Sequence, residues 1–170
     1  MQIALKIHRL SKKLSTFSKI LSKVLDYLNY LIFNSSIPAT AKIGYGTKLS
    51  KGGIAIIIHE RAVIGENCII GSCVLIGGRS KIYNVPSIGD NVYIGSGAKI
   101  LGDISIGSGS IIAPNSVVLK NVEKNTIVAG IPAIVKKATV ASEITSCLPK
   151  SIALFDCSRR NKQLRNPLAT

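Results

Sequence analysis

Apolar side chains recur through the middle of this chain with a period of six: Ile58, Ile64, Ile70 and Ile76, then Ile88, Ile94, Ile100, Ile106, Ile112 and Val118. Six is neither a strand nor a helix period, so each unit is a short strand plus a turn. Such a unit is too small to bury its own face, and stability must come from stacked neighbours. Two residues before most of these aliphatics stands a small or branched side chain (Ala62, Cys68, Val74, Val92, Ala98, Ile104, Ser110, Ser116), the alternation of a strand with one face inward. These two positions line the predicted core. Gly65, Gly71, Gly77, Gly89, Gly95 and Gly107 each follow a periodic aliphatic, and they read as bends where a missing Cβ relieves the backbone. The interval from Ile76 to Ile88 counts as two whole periods, so the register survives it.

A second period occupies the N-terminus. Ile3, Ile7, Leu10, Leu14, Phe17, Leu21, Val24, Leu28 and Leu31 fall three and four apart, predicting one helix or two with an apolar stripe and lysines elsewhere. Packing on the solenoid as a cap for its first coil, lying at a membrane interface with Tyr27, Tyr30 and Phe33 near the headgroups, and a coiled coil all remain open. The stripe is too charged to cross a bilayer, and no cleavable leader is recognisable. The chain thus divides into a basic amphipathic helical segment (1–36), the repeat domain (37–137) and a basic tail (138–170) with a short helix expected over Ala141 to Leu154.

Composition narrows the picture. Of 170 residues 46% are hydrophobic, with three Phe and no Trp, as suits a ladder of stacked Ile and Val. The formal charge of +14 is concentrated at the two ends. No nucleic-acid motif or stacking aromatic array accompanies it, so nucleic acid is set aside and an anionic membrane surface or anionic polymer stays in view. Cys68, Cys73, Cys147 and Cys157 make no CxxC or His-paired spacing. That indicates reduced thiols, no metal site, and a cytoplasmic protein, at most peripheral to the inner membrane surface.

The strings IGENCIIGSCVLIGG and PSIGDNVYIGSGAKILG and the closing AGIPA (Ala129 to Ala133) together resemble the hexapeptide-repeat acyltransferases, specifically the serine acetyltransferase branch and its sugar-acetylating relatives. The resemblance runs from about Ile43 to Lys137 and implies a mainly β fold, a left-handed parallel β-helix. It further implies a homotrimer that moves an acetyl group from acetyl-CoA to a hydroxyl of serine or of a surface-polysaccharide sugar, with the active site between subunits. Gly77, Gly78, Ser96, Ala113 and Pro114 are the candidates for the CoA track, Gly78, Ser96 and Pro114 standing three repeats apart as three corners of one edge. Lys120, Lys136 and Lys137 are candidates for the CoA phosphates. Arg79, Tyr83 and Asn84, in the interval that breaks the repeat, are candidates for holding the acceptor; Lys81 adds to its basic character.

Acetyl transfer needs a group that takes the hydroxyl proton, and His suits neutral pH. Of the two histidines, His8 sits among basic residues and is assigned to solvent, which leaves His59, followed by Glu60. The branch would be expected to show HGGxGxVIH, opened by the catalytic His; here KGGIAIIIH puts Lys51 in that place. A second His expected before the repeat resumes is replaced by Val85. Lys51 as a desolvated base, Lys51 as an electrostatic group with His59 acting, and an impaired site serving as a binding or scaffolding partner are three open readings, and His59 as an outward corner residue is a fourth.

Overall fold

The computed structural model describes residues 3–15 and 19–138, which lie in one compact unit. Cys147, Cys157 and the short helix expected over 141–154 fall outside the described residues, and the Lys137 side chain is likewise not described. Two helices, α1 (Ile3–Ser15) and α2 (Lys19–Phe33), precede a parallel β-solenoid, the fold class the repeat predicts.

Three sheets form its faces. The first stacks β1 (Lys42–Ile43), β4 (Val63–Ile64), β7 (Ser87–Ile88) and β10 (Ser105–Ile106). The second stacks β2 (Lys48–Leu49), β5 (Ile69–Ile70), β8 (Tyr93–Ile94) and β11 (Ile111–Ile112), then β13 (Thr126–Gly130) and an antiparallel β14 (Ala133–Ala138), so AGIPA is a hairpin turn. The third stacks β3 (Ile57–Ile58), β6 (Leu75–Gly77), β9 (Lys99–Leu101) and β12 (Val117–Val118). All ten periodic aliphatics from Ile58 to Val118 are buried, and so is the residue two before each, Ile56 and Pro86 included. Fully burying such an aliphatic contributes about 1.5–3 kcal/mol, so the ladder supplies the stability that no single coil has. Ser110 and Ser116, buried on the same inner positions, are satisfied by the next coil: Ser110 Oγ donates to the Glu123 carbonyl (2.7 Å) and Ser116 Oγ accepts from Gly130 N–H (3.2 Å).

The glycines serve a purpose other than bending. A Cβ on Gly65, Gly71, Gly95 or Gly107 would stand 2.3–2.5 Å from an atom of the next coil, so these residues permit coils to stack closely. The left-handed turn itself falls two residues later, on Asn67, Cys73, Asn91, Gly97 and Gly109. Cys73 is therefore an exposed turn residue, whereas Cys68 is the small buried hydrophobe expected, its thiol pushed up by burial.

The coils are unequal. Lys42 lies opposite Val63, Val63 opposite Ser87, and Ser87 opposite Ser105. The last of these coils holds three bare repeats, the first is longer by half a repeat, and the second by a whole one. The first carries an extra turn at Ser50–Gly52, the second an excursion after Gly77. Since β6 and β7 lie on successive faces, the interval from Ile76 to Ile88 holds one corner plus this excursion, where two repeats were counted.

At the N-terminus one open reading is narrowed and one expectation is corrected. The buried side of α1 carries Ala4, Leu5, His8 and Ser11, while Leu10, Val24, Leu28 and Leu31 of the apolar stripe are exposed. The small residues let α1 approach the Ser50–Gly53 turn: a Cβ on Gly53 would stand 2.7 Å from the Ala4 methyl. His8, assigned to solvent, is 2% exposed; its Nδ1 lies 3.2 Å from the Ile37 carbonyl, and burial pushes its pKa down.

Candidate functional site

The candidate residues fall on two edges of the prism. The edge between the second and third sheets is formed by the Ser50–Ala55 turn and by the corners Gly71–Cys73, Gly95–Gly97 and Ala113–Asn115. These are tied in a column: Cys73 N–H donates to the Ile54 carbonyl (3.1 Å), Gly97 N–H to Ser72 (2.9 Å) and Asn115 N–H to Ser96 (2.9 Å). Asn115 makes the last of these bonds, so Pro114, with no N–H, does not interrupt the column. Ser72, Ser96 and Pro114 thus succeed one another from coil to coil, with the Ser72 and Ser96 hydroxyls 3.4 Å apart.

Gly78 does not belong to this track. Gly77 pairs with Leu101 and its carbonyl accepts from Gly102 N–H, which places Gly77 and Gly78 on the corner between the third and first sheets. Counting by three repeats failed because the intervening coil has the length of four. Ser72 and Cys73 take the place that the count gave to Gly78, and a stride one repeat longer across the irregular interval would have found them.

Lys51 lies at the head of the same track. The turn that carries it is tightly coiled: Lys51 (φ 46°), Gly52 (79°), Gly53 (93°) and Ala55 (53°) are all in the left-handed region, which is costly for Lys and Ala. The end of α2 holds it there. Phe33 carbonyl accepts from Ala55 N–H (2.9 Å), while buried Ser35 accepts from Ile56 N–H (2.9 Å) and donates to the Gly53 carbonyl. Lys51 is exposed in the isolated chain, so the dry surroundings that a neutral lysine base requires are not provided by this chain alone.

The other edge gathers His59, Glu60, Arg61, Gly78, Lys120 and the excursion. His59 Nδ1 accepts the Arg61 backbone N–H (3.2 Å), so in the neutral ring the proton sits on Nε2. In that form Nε2 is a donor and the ring's one lone pair is engaged by Arg61, the opposite of what a base must offer. The Arg61 guanidinium lies 3.9 Å above the Tyr83 ring, folding the excursion against the His59 corner. At its other flank Asn84 Nδ2 donates to Asp103 (2.9 Å). Arg79, Tyr83 and Asn84 are all exposed on this loop, and Gly78 and Val85 bracket it closely, a Cβ on Gly78 falling 3.7 Å from Val85 Cγ1. Arg61 is the residue sequence reasoning passed over; its place beside His59 was visible, its ring partner was not. Lys136 stands apart, exposed on β14 at the end of the second sheet.

Within one chain, then, Lys51, Ser96, Ala113 and Pro114 share an edge, and His59, Glu60, Gly78, Arg79 and Tyr83 share another, with the third sheet between them. Residues 86–120 match the bacterial transferase hexapeptide (six repeats) family model. Serine acetyltransferase 4 of Arabidopsis thaliana is 37% identical over 134 residues, covering 77% of this chain and 38% of the relative. Among solved structures, serine acetyltransferase of Brucella abortus strain S19 in complex with coenzyme A superposes with a TM-score of 0.76 at 37% identity, over 81% of this chain and 56% of that one. The Neisseria gonorrhoeae serine acetyltransferase gives 0.75 at 33% identity, over 83% and 56%. The chain thus spans about two-fifths of the curated relatives and just over half of the solved chains it matches.

Proposed function

We infer that this chain, a hexapeptide-repeat protein of the serine acetyltransferase-like branch, transfers an acetyl group from acetyl-CoA to a hydroxyl of a small acceptor, serine or a sugar. The observation that carries the reading is the single edge on which the strained Lys51 turn heads a straight column of corners at Ser72, Ser96 and Pro114. A pantetheine arm is long and narrow, and a ridge of recurring backbone groups matches it. The likeness to a serine acetyltransferase solved with coenzyme A supports the same donor here.

In the reaction the acceptor oxygen attacks the thioester carbonyl carbon, the C–S bond breaks, and the coenzyme leaves as a thiol carrying the proton the hydroxyl gave up. In a homotrimer, the edge with Lys51 from one copy would face the edge with His59 and Tyr83 from the next. The exposed Arg79, Tyr83 and Asn84 would then hold the acceptor, with Lys120 and Lys136 left as phosphate contacts. Lys51 would stand nearest the reacting carbonyl, and His59 would donate a hydrogen bond.

Release of free CoA from acetyl-CoA, followed with a thiol reagent in the presence of serine or a panel of sugars, tests the activity. Native protein is expected to release CoA with one of them and Lys51→Ala to lose about 100-fold or more, the scale of a proton-transferring group. Lys51→Arg separates the two roles: it retains activity where the charge alone is needed and loses it where a neutral amine must take the proton. No CoA release together with no CoA binding by calorimetry would refute the proposal.

The engagement of His59 Nδ1 by the Arg61 N–H favours a second reading, a binding or scaffolding protein without turnover. Activity created from nothing by Lys51→His supports it, and native activity that vanishes in His59→Ala rules it out.

A further inference from the structure

α2 turns an apolar stripe away from the rest of the chain. Ile20, Val24, Tyr27 and Leu31, spaced four, three and four apart on one face, are 79%, 48%, 61% and 60% exposed, with Leu28 and Ile32 flanking them. The inward side carries half-buried Leu25 and Phe33, the latter packed on the core, together with polar groups: Asn29 is 1% exposed with both its Nδ2 and Oδ1 unpartnered, and half-buried Asp26 accepts from Ser11 Oγ (2.8 Å). In water a helix gains stability by turning its larger apolar stripe inward, and here that stripe faces out. The stripe is therefore the side of α2 that needs cover.

The charge beside it identifies the cover. Lys6, Arg9 and Lys13 face outward on α1 and Lys23 on α2, and Asp26, the one acid before Glu60, is turned inward. A second copy would bring an equally basic hairpin against this one. The C-terminal stretch 139–170 is also basic on balance, with Lys150, Arg159, Arg160, Lys162 and Arg165 against Glu143 and Asp156. Neither complements the hairpin, whereas an anionic surface with an apolar interior complements both its features at once. No helix among the described residues is long and apolar enough to cross a membrane, which leaves a helix lying in the interface.

We propose that the α1–α2 hairpin docks the protein on an anionic lipid bilayer. The stripe of Ile20, Val24, Tyr27 and Leu31 enters the boundary between headgroups and acyl chains. Tyr27 and Tyr30 sit at headgroup depth, where an apolar ring with a polar tip is at home. Lys6, Arg9, Lys13 and Lys23 meet lipid phosphates. Cations and apolar insertion act together, since one weak membrane signal alone gives only marginal, reversible binding.

The test is sedimentation of the full chain with vesicles of phosphatidylcholine mixed with phosphatidylglycerol, against phosphatidylcholine alone. Binding is expected on the mixed vesicles and much less on the neutral ones, falling as salt rises. Each of Lys6→Gln, Arg9→Gln, Lys13→Gln and Lys23→Gln should weaken it about fivefold. Val24→Gln with Leu31→Gln should abolish it while circular dichroism and CoA binding stay as in the native chain. Equal binding to both vesicle types, or binding that survives loss of the stripe, overturns the proposal. So does a native oligomer that Val24→Gln with Leu31→Gln dissociates without any change in sedimentation, since a second copy would then be the cover.

Discussion

Gly71→Ala tests why the coils need their glycines. The added Cβ would stand 2.4 Å from Ser96 N, 2.6 Å from Ser96 Cα and 2.8 Å from Gly95 C, all backbone atoms of the next coil with no rotamer to move. To reach ordinary contact the two coils must separate locally by about 1 Å. That stretches the 2.8 Å bond from Gly71 N–H to the Ile94 carbonyl beyond hydrogen-bonding range and weakens the 2.9 Å bond from Ile69 N–H to Val92. Two ladder bonds at about 1 kcal/mol each, with about 1–2 kcal/mol of overpacking strain, give a loss of about 3–4 kcal/mol. For a chain of this size the melting temperature should fall by about 6–16 °C. Gly77→Ala is the control: its nearest neighbours would be Leu75 Cδ1 at 3.7 Å and Leu101 Cδ2 at 3.8 Å, and it should be neutral or stabilising by up to about 1 kcal/mol. Urea and thermal unfolding of both variants decide the matter. Equal stability of the two would refute coil spacing as the reason and return the glycines to a bending role.

Burial lowers the His8 pKa, so between its folded value and 6.5 the unfolded chain binds the proton that the folded chain refuses. Stability should therefore be full above about pH 6.5 and fall as pH drops through that window, by at most about 1.4 kcal/mol per pH unit, and His8→Gln should flatten this limb in urea titrations at stepped pH. Ser35→Ala leaves the Gly53 carbonyl and Ile56 N–H without their buried partner and should cost about 2 kcal/mol, measured by unfolding; under the proposed function the loosened Lys51 turn should also raise the KM for acetyl-CoA.

The core was legible because it is periodic: a buried side chain every six residues leaves a mark that no local detail erases. The edges were less so. An excursion with the length of one repeat hid within the count at Arg79–Asn84, so that counting back from the correctly placed Ser96 and Pro114 landed on Gly78, a corner of another ridge. The N-terminal stripe was read correctly as helical but its partner stayed open, because the side of α1 that is buried, Ala4, Leu5, His8 and Ser11, mixes small and polar residues with a single Leu and leaves no hydrophobic period of its own. The orientation of His59 was beyond sequence altogether. It depends on one hydrogen bond from Arg61, formed because the corner turns back on itself.

The excursion between Gly78 and Val85 has a consequence for how this scaffold can be rebuilt. Because its two ends nearly touch and its length equals one repeat, cutting out Arg79–Asn84 would join Gly78 to Val85 and leave Ile76 and Ile88 a single repeat apart, restoring an unbroken count. The loop is thus a cassette, one whose removal or exchange leaves the register of every buried isoleucine in place, so that whatever its exposed side chains hold could be swapped as a unit while the ladder beneath is left untouched.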